Sequence, residues 1–479
     1  MRAPAADPWQ QHADAVGRLQ ASYAAIPADQ PVRLAKRTSN LFRPRAAAAA
    51  GLDVSGLDGV IEVDATARTA QVQGMCTYED LVDATLAHGL VPTVVPQLRT
   101  ITLGGAVTGL GIESTSFRHG LPHEAVLEMD VLTGAGDVVT VRPGDDLFDA
   151  FPNSYGSLGY ATRLLVELLP APGHVELEHV RVDDRGLLAK SIAAIVETGE
   201  HDGERVDALD GVVFAPDEAY LTLARWREGA ASRPSDYTGQ RIFFRSLQRR
   251  PRDELATLDY LWRWDTDWFW CSRAFGVQHP VVRRFWPRRL RRSDVYRRLV
   301  ALDQRHGASN RVREALGGTA EEMVVQDVEI PVERLPEFLE FFHREIRIEP
   351  VWLCPLQLRG ERSWPLYPME PGRLYVNVGF WSSVAEKPGD RWAHNRLIEE
   401  CVADLGGHPQ LVHEPAQLGE APLEVVLAQL AGRARRQPPQ VLHEDLHVGG
   451  RETAQPDAQP VTDAAELQAP QDRVDRLEP

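Results

Sequence analysis

Between Thr102 and Gly120 the chain reads TLGGAVTGLGIESTSFRHG, with Gly104, Gly105, Gly109 and Gly111 separated by little bulk. Glycine loses the most conformational freedom on folding, so such a cluster marks a tight turn or a close approach of backbone to something else. Successive backbone N–H groups form a nest that binds an anion without side-chain charge, and a phosphate is the usual occupant. Thr102, Ser114, Thr115 and Ser116 would add hydroxyl donors; a loop packed on a sheet with no ligand is the plainer alternative. A G-x-G-x-x-G fingerprint starts at Gly109 and Gly111, but Ser114 stands where its third glycine belongs and no strand-turn-helix pattern surrounds it. The spacing therefore points to the amides of a loop rather than of a helix N-terminus. The same stretch carries Glu113 and His119 with Arg118 between them. An unperturbed imidazole titrates near neutrality and serves as a proton donor at modest cost. Equally, His119 can satisfy backbone carbonyls, and Glu113 can cap a turn or pair with Arg118.

These residues need elements to hold them. Apolar spacing at Ala15, Leu19 and Tyr23 predicts a leading helix over 8–26, and 31–43 reads as a short strand running into a polar loop. Residues 59–76 alternate as a hairpin, and a helix follows with Thr77 as N-cap, Asp80 as its capping-box partner and Gly89 as its stop. GAGD joins two further strands as a hairpin turn would, and a short helix ends at Pro152 before the glycine turn Gly156, Ser157, Leu158, Gly159. From about 171, helices at 187–198, 333–346 and 391–405 alternate with strands at 208–214, 323–330, 350–358 and 373–381. Alternation in LYVNVGF puts Tyr375, Asn377 and Gly379 on one face. The aromatic run over 260–287 reads as a packed surface, a lid over an apolar ligand or an interfacial membrane contact. Residues 409–479 lack Phe, Trp, Tyr, Ile, Lys, Asn and Ser, so beyond a short helix at 423–435 they have too little to bury against their ordering entropy. The sequence thus divides into 1–170, 171–408 and an atypical tail.

A formal net charge of −17 argues against a nucleic-acid partner. Cys76, Cys271, Cys354 and Cys401 are far apart and form no CxxC pair, which supports neither a metal site nor a disulfide framework. No run of 18 apolar residues and no signal-peptide core occurs, so the expectation is a cytoplasmic protein with, at most, a peripheral membrane contact.

The order TLGG, GIESTSFRHG, VLTGAGDVV and DLFDAFPNSYGSLG resembles the FAD-binding domain of the vanillyl-alcohol oxidase and p-cresol methylhydroxylase type. Over about residues 30–408, VPQLRTITLGGAVTGLGIESTSFRHGL, DLFDAFPNSYGSLGYATRLLVELLPA and RIEPVWLCPLQL are further similar to the delta-24 sterol reductases, flavoproteins that reduce a C=C bond in the aliphatic tail of a sterol. That family continues past its last helix with an aromatic-rich segment, where this sequence turns into its aromatic-free tail after Gly407; its eukaryotic members also carry an N-terminal membrane segment that this sequence does not show.

The resemblance implies an α+β, two-domain flavoprotein: a PCMH-type FAD-binding domain of two small α+β subdomains, then an α+β substrate domain. It implies Thr102, Leu103, Gly104 and Gly105 at the pyrophosphate, and Gly109, Gly111, Ile112, Ser114 and Ser116 in the loop passing the flavin. Gly156 to Gly159 form the later turn. Lys36, Arg37, Thr38, Ser39 and Asn40 would supply the remaining phosphate contacts. No His or Cys stands in the usual attachment context, so FAD is expected to be noncovalent, with NADPH as a candidate electron donor. His119, Tyr155 and Glu113 are the candidate catalytic acids, and Trp352, Gln357, Tyr375 and Asn377 the candidate substrate contacts. The activities implied are reduction of a C=C bond in a small apolar, sterol- or isoprenoid-like substrate, oxidation of an alcohol or hydroxylated lipid, or flavin binding without catalysis.

Overall fold

The computed structural model describes residues 7–28, 30–36, 50–109, 111–306, 321–367, 369–387, 389–390 and 392–409. Arg37 to Asn40 and the tail beyond 409, with its expected helix, lie outside them.

Two antiparallel sheets carry the fold. The first runs Val60–Asp64, Thr69–Gln73, Tyr160–Pro170, Val126–Leu132, Val138–Val141, with Leu90–Pro92 paired to the far end of Tyr160–Pro170. Both predicted hairpins are here, the second closed by the Thr133 N–H donating to the Asp137 carbonyl at 2.9 Å. The helix Tyr78–Leu86 starts at Thr77, whose Oγ1 accepts from the Asp80 N–H at 3.2 Å. The Asp80 carboxylate accepts the Thr77 hydroxyl, not its backbone N–H. The leading helix Pro8–Ala24 buries Ala15 and Leu19 against Leu52, Val54 and Leu132. A parallel pair, Val32–Leu34 with Ala50–Leu52, completes this half.

The second sheet has eight strands in the order Arg252–Ala256, His174–Val182, Glu218–Arg227, Ala208–Ala215, Val351–Leu356, Tyr375–Ala385, Glu321–Pro331, His408–Pro409. Four of these are absent from the sequence reading, the two-residue His408–Pro409 and three longer strands, His174–Val182, Glu218–Arg227 and Arg252–Ala256. All three are rich in charged residues, which blurs the apolar alternation a strand announces itself by.

Side chains of this sheet sort by parity. Leu353, Val376, Val378 and Phe380 enter a core with Ile192, Phe338, Phe342 and Ile398 of the helices Arg185–Thr198, Leu335–Glu345 and Ala393–Asp404. Trp352, Cys354, Leu356 and Tyr375 enter the other core, which they share with Val72, Leu81, Leu103 and Val107 of the first half. One face therefore packs on helices and the other on the glycine-rich half.

The aromatic run lies in that second core. Tyr260, Trp262, Trp264, Trp268, Phe269 and Trp270 are all buried, with Trp268 and Phe269 in the left-handed region at φ 47° and 57°. Over 260–270 it is an internal wall, whereas Val281, Val282 and Phe285 further along are exposed.

Candidate active site between the two sheets

The glycine stretch is not the extended loop expected of it: Leu103–Gly109 is a helix. Three glycines lower its propensity, but Leu103, Ala106 and Val107, at i, i+3 and i+4, bury one face and override that cost. The Leu103 N–H donates to the Cys76 carbonyl and the Gly104 N–H to the Gly74 carbonyl, both at 2.9 Å. Those two amides are spent on backbone. A Cβ on Gly104 would lie 2.7 Å from the Gly74 oxygen, so the crossing of two backbone segments requires this glycine. Gly111 is likewise wedged between Pro96 and Pro122.

Gly105 differs. It is half-buried, its N–H reaches only Thr102 Oγ1 at 3.2 Å among the described residues, and a Cβ there would stand 4.0 Å from the Lys36 ammonium. Thr108, Gly109, Tyr155 and Gly156 are also partly exposed. The Tyr155 ring lies 3.5 Å from where a Gly109 Cβ would be, and its N–H donates to the Thr108 carbonyl at 3.0 Å. Its backbone is left-handed, φ 50°, between Asn153 at 63° and Gly156 at 85°. A non-glycine residue held there costs of order 1–3 kcal/mol and is kept when its surroundings dictate the turn. Small residues, one ammonium and a stacked phenol along one open edge fit a phosphate-linked planar cofactor. Gly159, by contrast, is needed for packing, since a Cβ would fall 2.4 Å from the Leu132 carbonyl oxygen. Ser157 Oγ donates to the Ser154 carbonyl, and Leu158 packs at the edge of the core.

From Gly111 to Ser116 the backbone is pinned on both sides. Gln97 Nε2 donates to the Ile112 carbonyl at 2.7 Å and Thr115 Oγ1 to the Thr93 carbonyl at 3.0 Å. Ser116 Oγ accepts from the Glu113 N–H, and the Leu209 N–H of the second sheet donates to the Ser114 carbonyl at 2.8 Å. These hydroxyls serve the loop itself. Glu113 pairs not with Arg118, which donates to the Val206 and Gly199 carbonyls, but with Arg263.

Arg263 is the centre of a buried network. Its Nη2 lies 2.7 Å from Glu113 Oε1, 2.8 Å from Asp210 Oδ2 and 3.2 Å from Ser114 Oγ, its Nη1 donates to the Tyr260 carbonyl, and its guanidinium stacks on the Tyr260 ring at 4.0 Å. Ser114 Oγ also meets the Tyr260 hydroxyl at 2.8 Å, and the Trp264 and Trp352 indoles donate to Asp210 Oδ2. Glu113, Asp210 and Arg263 are each 3 % exposed or less, so two carboxylates share one cation away from water. Glu113 Oε2 and Asp210 Oδ1 have no hydrogen-bond partner among the described residues. Burial raises the Tyr260 phenol and the Cys354 thiol, the latter further pushed by the charges of Glu113 and Asp210.

Beside this network the sheet presents Cys354, Asn377 and Glu329 in one cross-strand row and Trp352, Gly379 and Asp327 in the next. Asn377 Nδ2 donates to Asp327 Oδ1 at 3.2 Å, while Asn377 Oδ1 has no partner among the described residues. Gly379 leaves room for both Asp327 and Trp381, each 2.7 Å from where its Cβ would be. Burial pushes the Asp327 carboxyl up to about 6 against the opposing bond from Asn377, yet the residue is not fully closed off. Phe269, Trp270, Trp352 and Trp381 pack against one another edge-on or tilted, with Trp352 and Trp381 meeting Gly379 beside it. Glu329 and Tyr155 both face Tyr367, whose phenol burial raises. Tyr155, Tyr367, Glu329, Asn377, Asp327 and Cys354 thus run in sequence to the Arg263 network.

Two candidates sit elsewhere. His119 ends the short helix Ser116–His119, facing Arg359, Arg118, Arg205 and Asp207; burial and then these arginines lower its pKa, leaving the ring neutral at pH 7. Gln357 Nε2 ties the Phe117 carbonyl at 2.9 Å and acts as a strut. Asp210, Tyr260, Arg263 and Asp327 escape the sequence reading. Asp210 is the lone charge in ALDGVVFA, and Asp327 shares one strand face with Glu329 in the otherwise uncharged VVQDVEIP, which obliges a buried arrangement and could have flagged them.

Among the described residues no group of three His, Cys, Asp or Glu side chains could hold a metal, and no helix is long and apolar enough to cross a membrane.

Residues 18–142 match the FAD binding domain family, so the half that holds the glycine helix is a PCMH-type flavin domain and the protein is an FAD-dependent oxidoreductase. Its relatives include the Delta(24)-sterol reductase of Homo sapiens, 24% identical over 74% of this chain and 68% of that protein. The Delta(24)-sterol reductase homolog of Caenorhabditis elegans is 21% identical over 73% of this chain and 68% of its own. Cytokinin dehydrogenase 2 of Oryza sativa is 37% identical, but over only 23% of this chain and 20% of its own.

Proposed function

We propose that the protein reduces a C=C bond in an apolar, sterol- or isoprenoid-like lipid, with residues 1–170 holding FAD noncovalently, residues 171–408 covering the substrate and NADPH as electron donor. The observation that carries this reading is the character of the wall: Phe269, Trp270, Trp352 and Trp381 pack against one another, and Arg263, which meets Trp352 at Asp210, is already shared by Glu113 and Asp210. Such a wall favours a neutral, apolar ligand and offers an anionic one nothing. The names of the relatives that span most of the sequence support the same substrate class.

FAD, when bound and reduced by NADPH, would supply a hydride for one alkene carbon. The protein must place a proton on the other. Lys36 and the Gly105 edge would hold the phosphates, and Tyr155 would sit against the flavin. Asp327, with its carboxyl near 6, keeps a protonated fraction toward neutral pH that an ordinary aspartate does not, and Tyr155 is the second donor on the seam. Glu113 is committed to Arg263 and His119 is neutral and remote, so neither is assigned the proton.

Anaerobic stopped-flow separates the two halves of the reaction. NADPH should reduce the flavin at the same rate in the parent, Asp327→Asn and Tyr155→Phe. Reoxidation by a sterol alkene should slow by about 10²- to 10⁴-fold in the variant that lacks the donor. Rapid reoxidation by oxygen after reduction by an alcohol, with no response to NADPH, would refute the reductase assignment.

A further inference from the structure

Beyond the aromatic wall the same segment turns outward. In the helix Pro280–Phe285, Val281, Val282 and Phe285 are 59, 38 and 79 % exposed, and Leu290 in the next turn is 37 % exposed. Phe285 is the most exposed large apolar side chain among the described residues. Along the same segment Arg273, Arg284, Arg288 and Arg289 are all exposed. Arg288 pairs with Asp236 at 2.8 Å; the other three have no carboxylate at ion-pair distance among the described residues. Between Trp268 and Ser293 there are seven arginines and no Asp or Glu, in a protein whose net charge is −17.

This projection is anchored, not frayed. Arg283 is buried and grips Asp267 Oδ1 and Oδ2 at 2.7 and 3.0 Å and the Gly239 carbonyl at 2.7 Å. Arg291, also buried, donates to the Gly239 and Trp286 carbonyls and so closes the loop on itself. Two arginines thus hold a segment that carries exposed apolar residues and further exposed arginines.

We propose that the Val281–Leu290 projection docks the protein on an anionic lipid surface, with Val281, Val282, Phe285 and Leu290 entering the headgroup boundary and Arg273, Arg284 and Arg289 meeting lipid phosphates. Apolar side chains on one side of a short element, with arginines that reach outward from it, are what an interfacial contact requires. Local positive charge selects the anionic surface, since the rest of this acidic protein is repelled by it. The proposal gives a purpose to the apolar substrate reading above, but lipid binding needs neither that substrate nor turnover.

The test is sedimentation of the full-length protein with vesicles of phosphatidylcholine alone and of phosphatidylcholine mixed equally with phosphatidylglycerol. The parent should pellet with the mixed vesicles and be released as salt approaches about 1 M, where the screening length is about 3 Å. Arg284→Gln with Arg289→Gln should weaken binding by about 25-fold, at about fivefold per cation lost. Phe285→Asp should weaken it by about tenfold or more. Leu187→Asp, at an exposed leucine on the helix Arg185–Thr198, is the control and should bind like the parent. Flavin reduction by NADPH without vesicles should be the same in all, so a failed reductase assignment and a failed docking surface are read separately. Equal binding to neutral and anionic vesicles, or parental binding by both projection variants, overturns the proposal, as does a parent that stays in solution with either lipid.

Discussion

Replacing Arg263 by methionine removes the cation that Glu113 and Asp210 share and leaves a residue of similar length. The guanidinium is 2.7 Å from one carboxylate and 2.8 Å from the other, and all three residues are buried, so water cannot replace it. Breaking a buried ion pair by deleting one partner costs about 3–5 kcal/mol, because the remaining charge is stranded. For roughly 400 folded residues the entropy of unfolding is about 0.8 kcal/mol per kelvin, so that loss lowers Tm by about 4–6 °C. Protonation relieves a stranded carboxylate, so the destabilisation should shrink as the pH falls from 8 to 5. Adding Glu113→Gln should recover part of the loss, since only Asp210 then needs a counter-charge. Calorimetry of the parent, the single and the double variant across that pH range decides the matter. A shift below about 1 °C at pH 8, or a double variant no better than the single, would show that the network is wetter and weaker than the geometry implies.

Asp327→Asn should change the pH dependence of stability. The folded carboxyl titrates near 6 and an unfolded aspartate near 3.9, so the folded state holds a proton that the unfolded state has released in between, and stability falls as pH rises through that window. The variant should gain up to about 3 kcal/mol above pH 6 and nothing below pH 4; urea melts showing no gain at pH 8 would contradict this. Gly105→Asp should purify folded but without flavin absorbance, because its Cβ would press on Thr102 and its carboxylate would capture the Lys36 ammonium. Full flavin content in that variant would move the phosphate site elsewhere.

Helices and hairpins with clean apolar periodicity were legible before any coordinates. Thr77, Gly89 and GAGD mark their boundaries by local chemistry that no tertiary contact overrides. The helix Leu103–Gly109 was not legible, because its stability comes from burying Leu103, Ala106 and Val107 against strands distant in sequence. The face shared by Tyr375, Asn377 and Gly379 follows from parity alone; what they face does not. Gly104 and Gly111 look like ligand glycines in one dimension, yet the Gly74 backbone and two prolines account for them. Arg263, Asp210 and Glu113 come from three separate segments, and only the pairing of the halves reveals that they neutralise one another.

The clasp around Gly111–Ser116 bears on how a substrate gets in. Adjacent lobes of a protein ordinarily swing apart, and many enzymes admit ligands that way. Here the Leu209 amide on Ser114, Gln357 on Phe117, Asn153 on the Leu366 carbonyl and Arg292 on Glu79 stitch one half to the other at separate points around a common apolar core. Parting the lobes would sever all of these stitches together. Entry must instead be a matter of doors within the walls, opened by a few side chains or one loop at a time, and the rate of admission is then set by local breathing rather than by a hinge.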